Sequence, residues 1–185
     1  MYFEPEKITS KSGRELKIAP IGPDHAEQFL DFMRQVSEDT HFMSRYGDEV
    51  GLTDKDITIE KKRQKELFED ERQGMISIFD GERIIGNIAV RNAGKGRKTT
   101  HRCSVGLAVR KEYHGEGLGT ILMEYAIKFA KSAGYQYMEL GVLSDNIKAQ
   151  GLYQKMGFVE WGRLPEAFIL DDGTRIDEIT MYKKL

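Results

Sequence analysis

The chain is 185 residues long, with 28 Lys and Arg against 30 Asp and Glu and a formal net charge of −2. That length suits a single domain over 1–185, and the near-balance of charge excludes the phosphate-neutralising excess of Lys and Arg that a nucleic-acid or anionic-membrane partner requires. One cysteine excludes a disulfide framework and a Cys-based zinc site and points to a reducing, cytoplasmic compartment; with no run of 18 apolar residues and no basic-then-apolar start, neither a membrane span nor a signal peptide is expected.

In chain order, residues 14–19 (RELKIA) alternate weakly and stop at Pro20, as a strand does. Pro23-Asp24 opens a helix over 24–38, with Ala26, Phe29, Leu30, Met33 and Val36 along one face. Residues 39–53 show no period and read as a loop. Thr53 with Asp56 makes a capping-box pattern before a mostly charged helix over 54–72, anchored by Ile57, Leu67 and Phe68. MISIF (75–79) and RIIGNIAV (83–90) flank Asp80-Gly81, a strong hairpin signal. Past a basic, glycine-containing connection over 92–100, RCSVGLAV (102–109) reads as a strand apolar enough to be buried on both faces. Leu118, Ile121, Leu122, Tyr125, Ala126, Phe129 and Ala133 recur at helical spacing up to Gly134. YQYMELGVL (135–143) is another strand, and Asn146 can cap a helix carrying Ala149, Leu152, Tyr153 and Met156 that stops at Gly157. The tail reads as a closing hairpin: FVEWGRL, then AFIL, the turn Asp171-Asp172-Gly173, and RIDEITMYKKL. The four prolines, at 5, 20, 23 and 165, fall outside these segments.

This order describes an α/β (α+β mixed) domain, a mixed sheet with helices on both faces. Two successive strand–helix–strand units, over 102–143 and 135–164, place the middle strands parallel, with a ligand at their carboxyl ends. Gly115, Gly117 and Gly119 alternate where the helix after the first of these strands begins. Glycine lets backbone N–H groups approach a ligand, and a helix start leaves several donors unpaired at a positive dipole end, a combination suited to phosphate. The same spacing also fits a plain flexible turn. A P-loop is excluded, because no lysine stands between Gly119 and Thr120. The dinucleotide fingerprint fits poorly, the turn reading G-x-G-x-G, although Glu139 lies about 20 residues on, where a ribose-binding acid belongs.

The segment LAVRKEYHGEGLGTILMEYAIKFAKSAG resembles the acetyl-coenzyme A motif of the GNAT superfamily of N-acetyltransferases, Arg/Gln-x-x-Gly-x-Gly/Ala, with His114 at the Arg/Gln position and Gly117 and Gly119 as the defining glycines. LGVLSDNIKAQGLYQKMGF resembles that superfamily's Asn-x-x-Ala-x-x-x-Tyr-x-x-x-Gly-Phe segment through Asn146, Ala149, Tyr153, Gly157 and Phe158. The two cover roughly residues 102–160. The resemblance implies a largely antiparallel sheet of about seven strands with splayed middle strands, acetyl-CoA as acyl donor, and direct transfer to a primary amine with no acyl-enzyme. It implies donor contacts from the strand end Leu107, Ala108 and Val109, from the turn residues His114, Gly115, Glu116, Gly117, Leu118, Gly119 and Thr120, and from Asn146 and Tyr153. Histidine in place of Arg or Gln at 114 implies weaker or pH-sensitive donor affinity.

Such a transfer needs a neutral amine, a polarised carbonyl and a proton for the departing thiolate. Tyr153, protonated at neutral pH, is the candidate acid; Asn146 is a helix cap first and a substrate contact second. Relatives that acetylate protein N-termini often carry a glutamate at the position matching Gly141, so the base is sought elsewhere. Glu139, on the same strand face, and His101, at the start of the preceding strand, are the candidates; a lysine-paired rim glutamate, a structural histidine and deprotonation through water remain alternatives. Cys103 reads as a small buried hydrophobe, and the histidines at 25, 41, 101 and 114 lack paired ligand spacing, so no metal is expected. By resemblance, residues 38–53 and 161–176 border the acceptor cleft, with His41, Phe42, Tyr46, Trp161 and Phe168 as aromatic walls and Glu38, Asp39, Asp48 and Glu49 attracting a cationic amine. The ending DGTRIDEITM resembles that of relatives acting on small amines and amino acids, so a small-molecule acceptor is expected. The alternatives are a protein or peptide N-terminal amine of the ribosomal-protein type and a non-catalytic acetyl-CoA-binding module. Many relatives form a homodimer, but no apolar stripe here marks an interface.

Overall fold

In the computed structural model, which describes residues 3–94 and 96–185, eight strands share one sheet: β1 (Glu6–Thr9), β2 (Glu15–Pro20), β3 (Gly74–Asp80), β4 (Arg83–Asn92), β5 (Arg102–Val109), β6 (Tyr137–Leu143), β7 (Val159–Ile169) and β8 (Arg175–Lys184). They hydrogen-bond in the order β1-β2-β3-β4-β5-β6-β8-β7. Every neighbouring pair is antiparallel except β5–β6. Four helices cover the two faces: α1 (Ala26–Asp39) and α2 (Asp54–Glu69) on one, α3 (Leu118–Ser132) and α4 (Ile147–Lys155) on the other. The strand between faces works by alternation. On β5, Cys103, Val105, Leu107 and Val109 pack toward α3 and α4, while Ala108 packs toward α1.

The α3/α4 face holds the larger core, joining Ile85, Ile88 and Val90 of β4 to Leu118, Leu122 and Ala126 of α3 and to Leu140 and Val142 of β6. The α1/α2 face is smaller and centres on Phe29 and Phe32 against Met75, Phe79 and Ile84. Arg110 is the largest fully buried side chain. It donates to the Ile84 carbonyl (2.8 Å) and to Asp31 of α1 (2.7 Å), so its charge is paired and α1 is fastened to the sheet.

The elements follow local chemistry closely. Thr53 accepts from the Asp56 N–H while Asp56 accepts from the Thr53 N–H, closing the capping box. The Asp80-Gly81 hairpin forms with Gly81 at φ +60°. Six expectations need correction. β1 was not anticipated: its sequence, EKIT, is a largely exposed polar edge with little apolar signal. Phe32 rather than Leu30 or Met33 sits fully buried on α1, and α2 ends at Glu69 and buries the polar pair Glu60 and Gln64. The second strand–helix–strand unit makes no adjacent parallel pair, because β8 inserts between β6 and β7. FVEWGRL and AFIL join into one strand across a bulge at Pro165-Glu166, where Glu166 takes φ +51° and its N–H is held by Asp177 (3.0 Å); Pro165 is thus inside a strand, at a bulge that tolerates it. Lastly, β5 is not buried on both faces: only Cys103 is buried, and Gly106 is exposed. The 92–100 connection includes Lys95, outside the described residues; Arg97–Thr99 form a 3₁₀ turn.

Candidate active site

The reason β5 stays partly open is its partnership with β6. The two strands pair only at Arg102–Tyr137, Cys103–Met138 and Ser104–Glu139. Beyond that point β5 continues paired to β4 as far as Gly86–Val109, and β6 continues paired to β8 as far as Leu143–Glu178. A wedge therefore opens between two strands that run the same way, with one edge of β5 free of strand partners from Val105 onward. An extended chain can add to such an edge by main-chain hydrogen bonds.

At the wide end of the wedge lies the glycine turn. Gly115 and Gly117 are both left-handed, at φ +87° and +81°, and Gly117 is the N-cap of α3. The N–H groups of Gly115, Gly117, Leu118 and Gly119 find no acceptor among the described residues. Alternating left-handed residues leading into a 15-residue helix make a concave set of donors at its positive end, a nest for an anion. Gly119 serves packing as well: a Cβ there would lie 3.0 Å from Leu152 of α4 and 3.6 Å from Leu107 of β5, so its absence lets strand, turn and second helix converge.

Three contacts hold the turn. The Tyr113 hydroxyl donates to Asp80 (2.8 Å), which also receives Arg14 (2.8 Å); these bonds, Tyr113's first, hold the Asp80 carboxyl below its ordinary pKa. The His114 ring donates from Nε2 to the Val109 carbonyl (2.9 Å), which ties the turn to the end of β5. Glu116 accepts from the Ser12 N–H (3.0 Å) and the Ser10 hydroxyl (2.8 Å), and these bonds lower its pKa. The Lys11 N–H donates to the Glu116 carbonyl (3.0 Å), and the Lys11 chain lies across Gly117. The β1–β2 turn is thus part of the site, and sequence reasoning missed it along with β1. Thr120 borders an open groove between α3 and α4 rimmed by Lys128, Lys131, Lys155 and Lys183.

On the α3/α4 face, Tyr153 is 7% exposed and packs on Phe158, its ring centroid 6.0 Å away. Its hydroxyl has no partner among the described residues. Burial alone raises its pKa to about 12. Asn146 caps α4, its Oδ1 accepting from the Ala149 N–H (3.2 Å). Leu107 joins Tyr153 in the same core. The remaining candidates stand apart. His101 precedes β5 on the closed side of the splay, edge-on to Tyr137. Glu139 sits at the last β5–β6 pair with both oxygens taken by Arg102, an arginine and not the lysine anticipated. Cys103 is fully buried and its thiol is pushed up to about 12 chiefly by that burial, consistent with a packing role. Among the described residues no cluster of three His, Cys, Asp or Glu side chains could hold a metal ion.

The 40–50 segment after α1 is bound across the carboxyl end of β6. His41 donates to Asp145 (2.7 Å), and the Tyr46 hydroxyl accepts from the Asp171 N–H (2.9 Å) on the β7–β8 turn. The expected acidic residues are largely committed locally: Glu38 to Arg34, Asp39 to Gln35, and Glu49 to the Tyr46 N–H. Trp161 is 60% exposed.

Comparison with known proteins agrees with this architecture. The model of the acetyltransferase (GNAT) family matches residues 31–158. N-alpha-acetyltransferase 30 of Schizosaccharomyces pombe is 34% identical over 105 residues, covering 56% of this chain and 68% of that protein. A GNAT-family acetyltransferase from Streptococcus pneumoniae superposes with a TM-score of 0.83 at 29% identity, over 92% of this chain and 99% of that one. The fold of yncA from Salmonella typhimurium, solved with its cofactor acetyl-CoA, matches at a TM-score of 0.77 and 18% identity, over 92% and 94% of the two chains. No helix among the described residues is long and apolar enough to cross a membrane.

Proposed function

Because this chain belongs to the GNAT family of acetyltransferases, we propose that it transfers the acetyl group of acetyl-CoA directly to a primary amine of a small molecule or free amino acid, in a reducing, cytoplasmic setting. The observation that carries the donor half is the set of N–H groups of Gly115, Gly117, Leu118 and Gly119, without acceptors among the described residues, at the open end of the β5–β6 wedge. The donor supplies a diphosphate for those amides, an extended amide-bearing arm for the free edge of β5, and an activated thioester carbonyl for attack. Asn146 and the strand end Leu107–Val109 flank that arm. In this reading Tyr153, which shares a core with Leu107 of the β5 end, meets the departing sulfur. Its pKa of about 12 lies well above that of a free thiol, about 8.5, so full proton transfer from it is uphill. Tyr153 acts by donating a hydrogen bond to sulfur as negative charge builds there, and it stays protonated throughout the working pH range.

The tethered 40–50 segment supports a small acceptor: with His41 tied to Asp145 and Tyr46 to the β7–β8 turn, this side is bridged, which suits a compact amine better than a chain lying across it. A second reading, an acceptor that is a protein N-terminus, is favoured by the N-alpha-acetyltransferase relative. Coenzyme A release from acetyl-CoA with amino acids, polyamines, aminoglycosides and short peptides separates the two. The small amines are expected to react best. Turnover with peptides alone would establish the second reading, and no release above hydrolysis with any acceptor would refute transfer to an amine.

A further inference from the structure

On the α1/α2 face of the wedge the first positions past the last β5–β6 pair are both glycine, Gly106 on β5 and Gly141 on β6. A Cβ at Gly106 would meet nothing within 4 Å, so that face of the throat is open. At Gly141 a Cβ would overlap the carboxylate of Glu178. Glu178 lies on β8 opposite Leu143, two pairs beyond Gly141–Thr180 and on the same face, and its side chain leans back over the bare backbone of Gly141. Glu178 is half-buried, and among the described residues its carboxylate has no hydrogen-bond or ion-pair partner. Glu139 on the same face is held at both oxygens by Arg102. A free carboxylate thus reaches the throat from one face, while Tyr153 belongs to the core on the other.

Building on the amine-transfer reading, we propose that Glu178 takes the proton from the incoming amine. The acceptor arrives as an ammonium ion and gives one proton to Glu178. The nitrogen lone pair then forms the C–N bond as the thioester C–S bond breaks. The second nitrogen-bound proton passes to the departing sulfur, which Tyr153 holds by hydrogen bond, and Glu178 returns its proton to water. One acetamide, one thiol and one proton result. Gly141 is a positioning residue: without a side chain it leaves room for the carboxylate.

The test uses the purified full chain, acetyl-CoA, and two acceptors: the most reactive alkylamine of the panel above and hydroxylamine, which is already neutral at pH 7. Glu178→Gln is expected to lower kcat/KM for the alkylamine by about 100-fold, the scale of general base catalysis, with a much smaller loss for hydroxylamine and unchanged acetyl-CoA affinity. Gly141→Ala, which displaces only the flexible end of Glu178, is expected to reduce alkylamine turnover with little loss of melting temperature. The double variant Glu178→Ala with Gly141→Glu supplies a carboxylate from β6 and is expected to recover part of the rate. Equal losses for both acceptors, or wild-type turnover in Glu178→Gln, would overturn the role of Glu178 while leaving amine transfer standing. Wild-type protein that binds acetyl-CoA yet acetylates no amine would overturn both.

Discussion

The two faces of the wedge are built by different means. The side proposed for the donor relies on backbone: left-handed glycines, a helix start and a strand edge, fixed from behind by Tyr113, His114 and Glu116. The side proposed for the acceptor relies on side chains carried by separate elements, namely His41 with Asp145, Tyr46 with the β7–β8 turn, and Glu178 over Gly141. Backbone donors tolerate most sequence change provided the glycines remain, whereas each side-chain contact is lost with one substitution. The donor side should therefore fail through conformation and the acceptor side through chemistry or fit.

The largest effect is expected from Gly117→Val. A branched residue at φ +81° is strained by about 1–2 kcal/mol, and its side chain would stand among the free amides beside Lys11. Coenzyme A affinity, measured by calorimetry, should fall by more than about tenfold while the protein still folds; unchanged affinity would remove the turn from the donor site. Tyr153→Phe comes next, with kcat lowered by at least about tenfold and acetyl-CoA affinity nearly unchanged, as expected for a group acting only as charge develops. With a phenol pKa of about 12, the wild-type rate should show no loss from phenol ionisation below pH 10. An alkaline limb near pH 9 that disappears in Tyr153→Phe would contradict this. His41→Ala should release the 40–50 segment and raise the acceptor KM by about threefold, the modest scale of an exposed pair, with donor affinity unaffected. A shift in donor affinity instead would show that the two sides are not separate.

A smaller effect is set by pH. The Glu116 pKa is lowered by its bonds to Ser12 and Ser10. A carboxylate depressed in the fold contributes above its unfolded pKa and loses that contribution as pH falls through the folded value. The melting difference between wild type and Glu116→Gln should thus be constant above about pH 5 and shrink progressively as pH falls below the ordinary glutamate value of about 4.3. Cys103→Ala should change turnover least, since the thiol is buried and protonated at neutral pH.

The glycine turn, the start of α3 and the capped α4, to which the donor is assigned by proposal, were legible in sequence because their determinants are local. Gly115, Gly117 and Gly119, the helix period after them, and Asn146 spaced before Tyr153 all lie within a short stretch, and the structure brings strand, turn and α4 together at Gly119. The acceptor side was not, because its contacts join distant segments. Gly141 could be seen to lack a carboxylate, but not that Glu178 fills the space above it, since that depends on β8 inserting beside β6. The β1–β2 turn was missed for a related reason: a short polar edge strand carries no apolar period, yet its Ser10 and Ser12 reach Glu116 across the fold. The two-face burial expected of β5 was wrong because the splay that opens the site is a property of the pairing and leaves no trace in hydrophobicity.

The most direct measurement is a crystal structure with coenzyme A bound. Diphosphate oxygens within hydrogen-bond reach of the amides of residues 115–119, the pantetheine arm along β5 in the wedge, and the sulfur beside the Tyr153 hydroxyl are the expected result. A diphosphate seated instead on the lysines between α3 and α4, with the glycine amides left bare, would contradict it.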